Sequence, residues 1–341
     1  MRLLEHAAFA ALLSLAAAGP AGALPAGNAG QEASPASAST RVRALTIHYR
    51  AHSGKRRAAT LLLPAWYGPK RHPRIPLVIS PHGRGVSGRA NARVWGNLPA
   101  RGPFAVVSPD GQGRRLGRHS WGYAGQIEDL ARMPVILRRA LPWLRIDHRQ
   151  IFAIGGSMGG QETLLLLARH PRLLAGAAVF DAVVDFTLQY RRFRTLGCNA
   201  ACRRQWTEPL GAGLRELARH EIGGMPKKRP IAYRVRSPLT YVRAIAWSCV
   251  PLQIWWSTAD RVVTVHERQS ARLFSRIREL NPRAPVTAYI GFWRHTRAMR
   301  ARWHLPTALA DLGLLDEPIE FFSRGLTVPA AGESAECTVP R

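Results

Sequence analysis

The segment Ile151–Gly160 places an apolar run directly before a glycine-rich turn that carries one serine. It reads Ile-Phe-Ala-Ile-Gly-Gly-Ser-Met-Gly-Gly, and a helix-forming run from Gln161 to Arg169 follows at once. A strand, a tight turn and a helix in this order are the context that a G-x-S-x-G nucleophile motif requires. The glycines allow a turn too tight for side chains, and the strained turn lifts the serine hydroxyl clear of the sheet. We therefore predict that Ser157 is a nucleophile at the end of a buried strand.

Short apolar runs alternate with helical patterns along most of the chain. We predict strands at 42–48, 58–63, 75–80, 104–108, 151–154, 175–180, 252–256 and 286–292. We predict helices at 126–145 (kinked by its prolines), 161–170, 265–280 and 305–322. This alternation predicts an α/β protein whose mostly parallel sheet carries helices on both faces. Residues 185–246 break the pattern, with many arginines and only short helical pieces such as 214–221, and we interpret them as an insertion that caps the site.

The first forty residues differ in composition from the rest. Arg2 precedes an apolar run over residues 7–18, which is followed by Gly19-Pro20 and Ala21-Gly22-Ala23. This order is typical of a secretory signal peptide cut after Ala23, and the apolar run is short for a membrane span. Residues 24–40 are rich in Ala, Gly, Ser and Pro, which predicts a flexible linker. We expect a secreted, extracellular protein with one folded domain over 41–341.

The four cysteines fit export into an oxidising compartment. They permit three pairings. Cys198 and Cys202 are close enough in sequence to close a small loop, and Cys249 with Cys337 would then tie the C-terminal tail to the start of a late strand. The alternative, four buried free thiols, is disfavoured by the signal peptide.

The net charge of +28 comes almost wholly from arginine, since the chain has lysine only at positions 55, 70, 227 and 228. The cations are spread along the whole chain, and no nucleic-acid-binding motif is evident. We therefore expect non-specific attraction to anionic surfaces and no specific nucleic-acid partner.

Asp260 lies just past the 252–256 strand and is the candidate acid. In a parallel sheet, groups that assist the serine lie beyond the C-terminal ends of the strands. Asp181 and Asp185, which follow the strand next to the serine turn, are alternatives. Asp260 itself has an alternative role as the cap of the helix predicted from Val265. Its spacing to a histidine favours Asp260 as the acid.

His295 directly follows the last predicted strand and is the candidate base. It stands 35 positions after Asp260, which leaves room for one helix and one strand between them. His304, nine residues further on, is its competitor. Most of the other histidines fall in arginine-rich loops, and we interpret them as solvated.

Two places in the sequence are candidates for the backbone donors that bind a developing oxyanion. One is the N–H of Met158, which follows the serine at the start of a helix. The other is the loop after the 75–80 strand, where we assign the donor to Gly83 or Arg84. His82 in this loop is expected to shape the backbone and not to titrate in a reaction.

Together, His82-Gly83, Gly155-x-Ser157-x-Gly159, Asp260 and His295 resemble the α/β-hydrolase superfamily in residue type and order. Ile146-Asp147, leading into the serine turn, resembles its prolyl-oligopeptidase-like and secreted esterase or depolymerase branches, and the resemblance spans about Val42 to Arg324. It implies an eight-stranded sheet and a Ser157–His295–Asp260 triad that needs no cofactor or metal. An N-terminal β-propeller and a Glu-Glu pair, which occur in the dipeptidyl-peptidase members, are not recognisable, and this favours an esterase.

From these residues and this resemblance we expect a secreted serine hydrolase acting on small-molecule or polymeric carboxylic esters. Trp121 and Tyr123, on the loop after the fourth strand, are the predicted walls of its pocket. A serine peptidase of the prolyl-oligopeptidase-like type is the first alternative. A non-catalytic binding protein on the same fold is the second, and the presence of all three triad residue types disfavours it.

Overall fold

Eight strands form a single sheet. The computed structural model describes residues 41–196, 210–295, 304–316 and 337, which all fall within one compact unit. The strands are β1 (Val42–Arg50), β2 (Arg56–Pro64), β3 (Ile75–Ile79), β4 (Ala105–Pro109), β5 (Ile146–Gly156), β6 (Gly176–Phe180), β7 (Leu252–Ser257) and β8 (Val286–Gly291). Their order across the sheet is β1-β2-β4-β3-β5-β6-β7-β8. Strand β2 is antiparallel to β1 and β4, and all other neighbours are parallel. The predicted mostly parallel, eight-stranded sheet is confirmed.

Helices connect the strands. In chain order the described α-helices are α1 (Gly88–Ala92), α2 (Leu98–Arg101), α3 (Ala124–Ala131), α4 (Met133–Ala140), α5 (Met158–Arg169), α6 (Phe186–Arg192), α7 (Leu210–Ile222), α8 (Pro230–Arg234), α9 (Val242–Ala246), α10 (Ser270–Leu280) and α11 (His304–Asp311). Short 3-10 helices add single turns at Arg93–Trp95, Pro171–Leu173, Phe193–Thr195, Pro238–Tyr241 and His266–Arg268. Among the described residues, none of the helices has the length and apolar character needed to span a bilayer.

The sheet has a hydrophobic core on each face. Successive residues of a strand point to opposite faces, so Leu61 and Leu63 of β2 pack on one face and Leu62 on the other. Helices α3, α4, α5, α9 and α10 cover the first face, and α1, α2 and α11 cover the second. Burial on both faces explains why the central strands read as continuous apolar runs in the sequence.

Two predicted helices are each broken in the structure. The helix predicted over 126–145 is two helices, α3 and α4, which meet at Arg132. Pro134 lies in the first turn of α4, where its missing N–H costs no helical hydrogen bond. The helix predicted over 265–280 is a 3-10 turn followed by α10, with the break at Gln269. The side chain of Gln269 accepts the backbone N–H groups of Val184 and Asp185, at 2.9 and 2.7 Å, so a tertiary contact fixes the break.

The last predicted helix, 305–322, is shorter than expected. Helix α11 ends at Asp311, and Gly313 follows with a φ of +70°, a left-handed conformation that ends helices. Residues 317–322 lie outside the described residues.

The insertion packs on the loop that follows β4. Glu221 of α7 is fully buried and accepts the backbone N–H groups of Arg114, Arg115 and Leu116 at 2.7–2.9 Å. Arg236, after α8, bonds to Glu221 at 3.2 Å and donates to the carbonyl of Ser120 at 2.6 Å. Helix α7 also contributes Leu214, Ala218 and Ile222 to a third hydrophobic cluster. Its members include Trp121, Met158, Phe186, Tyr190, Tyr233 and Val263.

Cys249 and Cys337 form a disulfide, one of the pairings that the sequence permits. It ties residue 337 to the segment just before β7. Cys198 and Cys202 lie outside the described residues, as do the predicted signal peptide and linker.

Candidate active site

Ser157 occupies the strained turn between β5 and α5. Its φ of 56° and ψ of −121° are unusual for a residue with a side chain. The backbone N–H of Ser157 donates to the carbonyl of Phe180 at the end of β6 (2.9 Å), and its carbonyl accepts the N–H of Gln161 (3.0 Å). The side chain is half-buried. These bonds hold the serine at the start of a helix, at the C-terminal edge of the sheet.

The start of α5 lies directly against the loop after β3. A Cβ atom on Gly159 would stand 2.3 Å from the carbonyl oxygen of Pro81 and 3.2 Å from that of His82. Only glycine permits so close an approach. The two places that we predicted to supply oxyanion donors, Met158 and the Gly83–Arg84 loop, therefore belong to segments that touch through Gly159.

His82 fixes the backbone of this loop. Its Nε2 accepts the N–H of Gly111 (2.9 Å), so Nδ1 carries the proton that it donates to the carbonyl of Gly83 (2.7 Å). Burial lowers the pKa of His82 to about 4, which keeps the ring neutral. The carbonyl of Gly83 and the N–H of Arg84 belong to one trans peptide and point in opposite directions. His82 thus orients the peptide that contains the predicted second donor.

Asp260 and His295 are brought together at the ends of β7 and β8. His295 Nδ1 lies 2.8 Å from Asp260 Oδ2, while Asp260 Oδ1 accepts the N–H groups of Val262 (2.7 Å) and Val263 (3.1 Å). Burial raises the pKa of Asp260, but the charge of His295 and the hydrogen bonds of His266, His295 and Val262 outweigh burial and leave it below its usual range. The carboxylate is ionised, so it accepts a hydrogen bond from the Nδ1–H group of His295, and Nε2 of that ring keeps its lone pair.

His295 is more basic than an ordinary histidine. Burial lowers the pKa of the imidazole, but the charge of Asp260, the hydrogen bond between them and the charge of Asp181 together raise it above its usual value. The positive charge of Arg84 acts in the opposite direction, which shows that the loop after β3 lies within electrostatic range of His295. Arg84 is half-buried, and burial lowers the pKa of its guanidinium to about 10.

Comparisons with known proteins agree with this architecture. No family model matches the sequence, and no curated protein matches it. Among solved structures, an acylaminoacyl peptidase of Pyrococcus horikoshii is 15% identical with a TM-score of 0.56, over 84% of this chain and 42% of that one. An esterase of Pyrococcus furiosus is 15% identical with a TM-score of 0.54, over 83% and 91%. An S-formylglutathione hydrolase of Staphylococcus aureus is 15% identical with a TM-score of 0.52, over 80% and 99%. The chain has the α/β-hydrolase fold. It spans less than half of the acylaminoacyl peptidase.

Within this α/β-hydrolase fold, the two alternatives to Asp260 as the acid, Asp181 and Asp185, make hydrogen bonds to other groups. Asp181 accepts the N–H of Ser257 through Oδ1 (2.9 Å) and the indole N–H of Trp293 through Oδ2 (2.8 Å). Asp185 caps α6 by accepting the N–H of Leu188 at 2.9 Å. Asp181 therefore links Ser257, at the end of β7, to Trp293, which lies two residues before His295. Asp185 stabilises the start of a helix.

His304, the competing base, lies in a packed aromatic environment. Its ring centroid is 4.9 Å from that of Trp293 and 5.9 Å from that of Trp255. Burial lowers its pKa, and Nδ1 has no hydrogen-bond partner within the part of the chain that the structure describes. An imidazole without a carboxylate partner is a poor general base, so the geometry favours His295.

His266 is a further residue at this site that was not predicted from the sequence. Its Nε2 lies 3.2 Å from Asp260 Oδ2, the oxygen that also contacts His295, and its ring is nearly buried. His266 stands only six residues after Asp260 in the same loop. That short spacing after a candidate acid is the one signal that points to it in the sequence.

The predicted pocket residues have different environments. Trp121 is 2% exposed and packs 5.7 Å from Phe186, in the same cluster as Met158. Tyr123 is half-buried, 5.2 Å from His52 and beneath the guanidinium of Arg236. A separate cavity of about 830 Å³ lies between α6, α8 and residues 238–241, and none of the three predicted triad residues lines it. The pocket role of Trp121 and Tyr123 stays a prediction.

Proposed function

We propose that the protein is a serine hydrolase that cleaves carboxylic esters, with Ser157 as nucleophile, His295 as base and Asp260 as the orienting acid. The 2.8 Å contact between Asp260 and His295 carries the proposal, because it joins two residues that lie 35 positions apart. It stands at the C-terminal edge of the sheet at which β5 ends in the strained Ser157. This edge is where open α/β sheets bind their ligands.

The proposed reaction proceeds through an acyl-enzyme. His295 Nε2 takes the proton of Ser157 Oγ as that oxygen attacks the acyl carbon of the ester, and Asp260 stabilises the imidazolium. The oxyanion is bound by the N–H of Met158 and by that of Gly83 or Arg84. His295 returns the proton to the leaving alcohol. A water molecule, activated in the same way, then hydrolyses the acyl-Ser157 bond and restores the hydroxyl.

A peptidase on the same residues is the second candidate, because the similar structures include an acylaminoacyl peptidase as well as esterases. Turnover of short-chain p-nitrophenyl esters and of peptidyl anilides by the purified protein separates the two. We expect the esters to be cleaved faster. Faster cleavage of the anilides would establish the peptidase instead.

Alanine at Ser157 or His295 tests the assignment of the triad. Either substitution should lower kcat by about 10,000-fold or more, since triad members act as a unit. His304→Gln is the matched control, because it changes the competing histidine and should leave turnover within about threefold. Full activity of His295→Ala, or equal losses in the two histidine variants, would overturn the assignment.

We further propose that the protein is exported. The N-terminal pattern and the Cys249–Cys337 disulfide support this location. Expression with the native N-terminus in a secreting host should yield a protein outside the cell that begins at Leu24. An uncleaved chain retained inside the cell would contradict export.

A further inference from the structure

His266 reaches Asp260 through an unusual backbone. The residue before it, Val265, has φ 56° and ψ 53°, the left-handed region, which a β-branched residue adopts only under strain. Val265 caps the 3-10 helix His266–Arg268, whose first residue places its imidazole beside Asp260. Strain at a β-branched residue persists only where surrounding contacts hold it, so the position of His266 is firmly determined.

Both ring nitrogens of His266 have partners. Nε2 lies 3.2 Å from Asp260 Oδ2 and 3.8 Å from Asp181 Oδ1, and Nδ1 lies 3.2 Å from the hydroxyl of Ser270. An ionised carboxylate only accepts hydrogen bonds, so Nε2 carries a proton, and Nδ1 is engaged by the hydroxyl of Ser270. His266 therefore has no nitrogen available to take a proton from Ser157. That role remains with His295, whose described bond uses Nδ1 alone.

Asp260 Oδ2 accepts from both histidines, while Oδ1 accepts from the backbone. If the His266 donor were lost, Oδ2 would be held by His295 alone, and the charge of the carboxylate would be shared among three donors instead of four. We propose that His266 is a positioning residue for the reaction. It holds Asp260 Oδ2 toward His295, and it limits how strongly the carboxylate stabilises the protonated form of His295. The inference rests on the proposed function.

Two amide substitutions of His266 separate this role from a structural one. The amide nitrogen of glutamine reaches the position of Nε2, whereas that of asparagine is one methylene short. Both replacements are polar and of similar bulk, so we expect His266→Gln and His266→Asn to change the stability of the fold by similar amounts. His266→Leu removes the donor altogether, and thermal unfolding of each variant monitors stability.

The readouts are kcat, KM and the pH dependence of ester turnover. We expect His266→Asn and His266→Leu to lower kcat about tenfold with KM unchanged, because misorientation of a catalytic group reduces turnover. The charged groups that face His295 are Asp260, Asp181 and Arg84, and all three remain in these variants. With one donor fewer, Asp260 should hold the His295 proton more tightly and shift the acidic limb of kcat/KM upward by about half a pH unit. His266→Gln should retain the wild-type limb and most of kcat.

The inference is wrong if the asparagine and glutamine variants have the same kcat and the same acidic limb. It is also wrong if all three variants lose turnover only in proportion to the fraction unfolded. Failure of the proposed function would give a different result. The wild-type protein would then cleave no ester, and Ser157→Ala would react with a serine-directed probe as the wild type does.

Discussion

Asp260 stays ionised in a buried position because four donors converge on its two oxygens. Two are backbone N–H groups and two are imidazoles. The charge of His295 and the hydrogen bonds to the carboxylate favour its ionised form, and together they outweigh desolvation. The ionised carboxylate in turn sets the tautomer and the basicity of His295.

The acidic limb of activity should therefore lie above the ordinary titration of histidine. In the proposed mechanism turnover requires neutral His295, and Asp260 and Asp181 raise the pKa of this histidine above the usual 6.5 despite burial. Activity should be low below this value and rise as pH increases through the raised pKa. The measurement is kcat/KM for an uncharged ester between about pH 5 and 9. A midpoint below 6.5 would contradict the account.

Glu162 should make the fold less stable as pH rises. It lies in α5, 1% exposed, and accepts a hydrogen bond from the hydroxyl of Ser120. Burial raises its pKa from 4.5 to about 8, so between these values the folded state binds a proton that the unfolded state has released. Stability contributed by that proton is full at low pH and lost across this window.

Glu162→Gln removes this dependence. We expect the variant to exceed wild type in free energy of unfolding by about 1–3 kcal/mol at alkaline pH, with a smaller difference at acidic pH. Urea unfolding at two pH values provides the comparison. If Glu162→Gln changed the free energy of unfolding equally at both pH values, the pKa of Glu162 would not be raised in the folded protein, contrary to this prediction.

Contacts between elements explain why Gly159 has no substitute. A methyl group there meets the backbone carbonyl of Pro81 at 2.3 Å, and backbone on both sides cannot yield without moving α5 or the loop after β3. Gly159→Ala should lower kcat at least a hundredfold by displacing the oxyanion donors. Gly117→Ala is the matched control, since a Cβ there makes only an ordinary contact of 3.6 Å with Arg57. Equal activities of the two variants would refute close packing at Gly159.

The buried ion pair of Glu221 and Arg236 should contribute strongly to the stability of the protein, because both residues bind the backbone of the loop after β4. Both side chains are buried, and Glu221→Ala would leave the Arg236 guanidinium without its carboxylate partner and three backbone N–H groups without their acceptor. We expect a loss of about 3–5 kcal/mol in stability. Glu216→Ala, which breaks the exposed pair with Arg219 on the same helix, should cost no more than about 0.5 kcal/mol. Similar losses of stability in both variants would contradict a special role of the buried ion pair.

The sequence was most informative at the ends of the strands. Buried strands are short apolar runs bounded by prolines, glycines and acids, and this local pattern located Ser157, Asp260 and His295. The breaks within helices were less predictable, because the one at Gln269 depends on its bonds to Val184 and Asp185 some eighty positions away. His266 was missed because its contact with Asp260 requires Val265 in a conformation that valine disfavours.

At the scale of the whole molecule, the Cys249–Cys337 disulfide closes a long segment that contains β7, β8, α10 and α11. The cysteines are 88 positions apart, so the bond should stabilise the fold by about 4 kcal/mol through the entropy of the unfolded chain. Replacing both cysteines by serine should lower the free energy of unfolding by that amount, and hence the unfolding midpoint, while leaving kcat intact in the protein that remains folded. An unchanged midpoint would contradict a stabilising bond.

The fold gathers groups that are remote in sequence at one edge of the sheet, and the central claim is that Ser157 is reactive there. A fluorophosphonate probe followed by intact mass and peptide mapping measures this directly. We expect one label per chain, located on Ser157 and absent from Ser157→Ala. Failure of the wild-type protein to react, or equal labelling of the alanine variant, would contradict it.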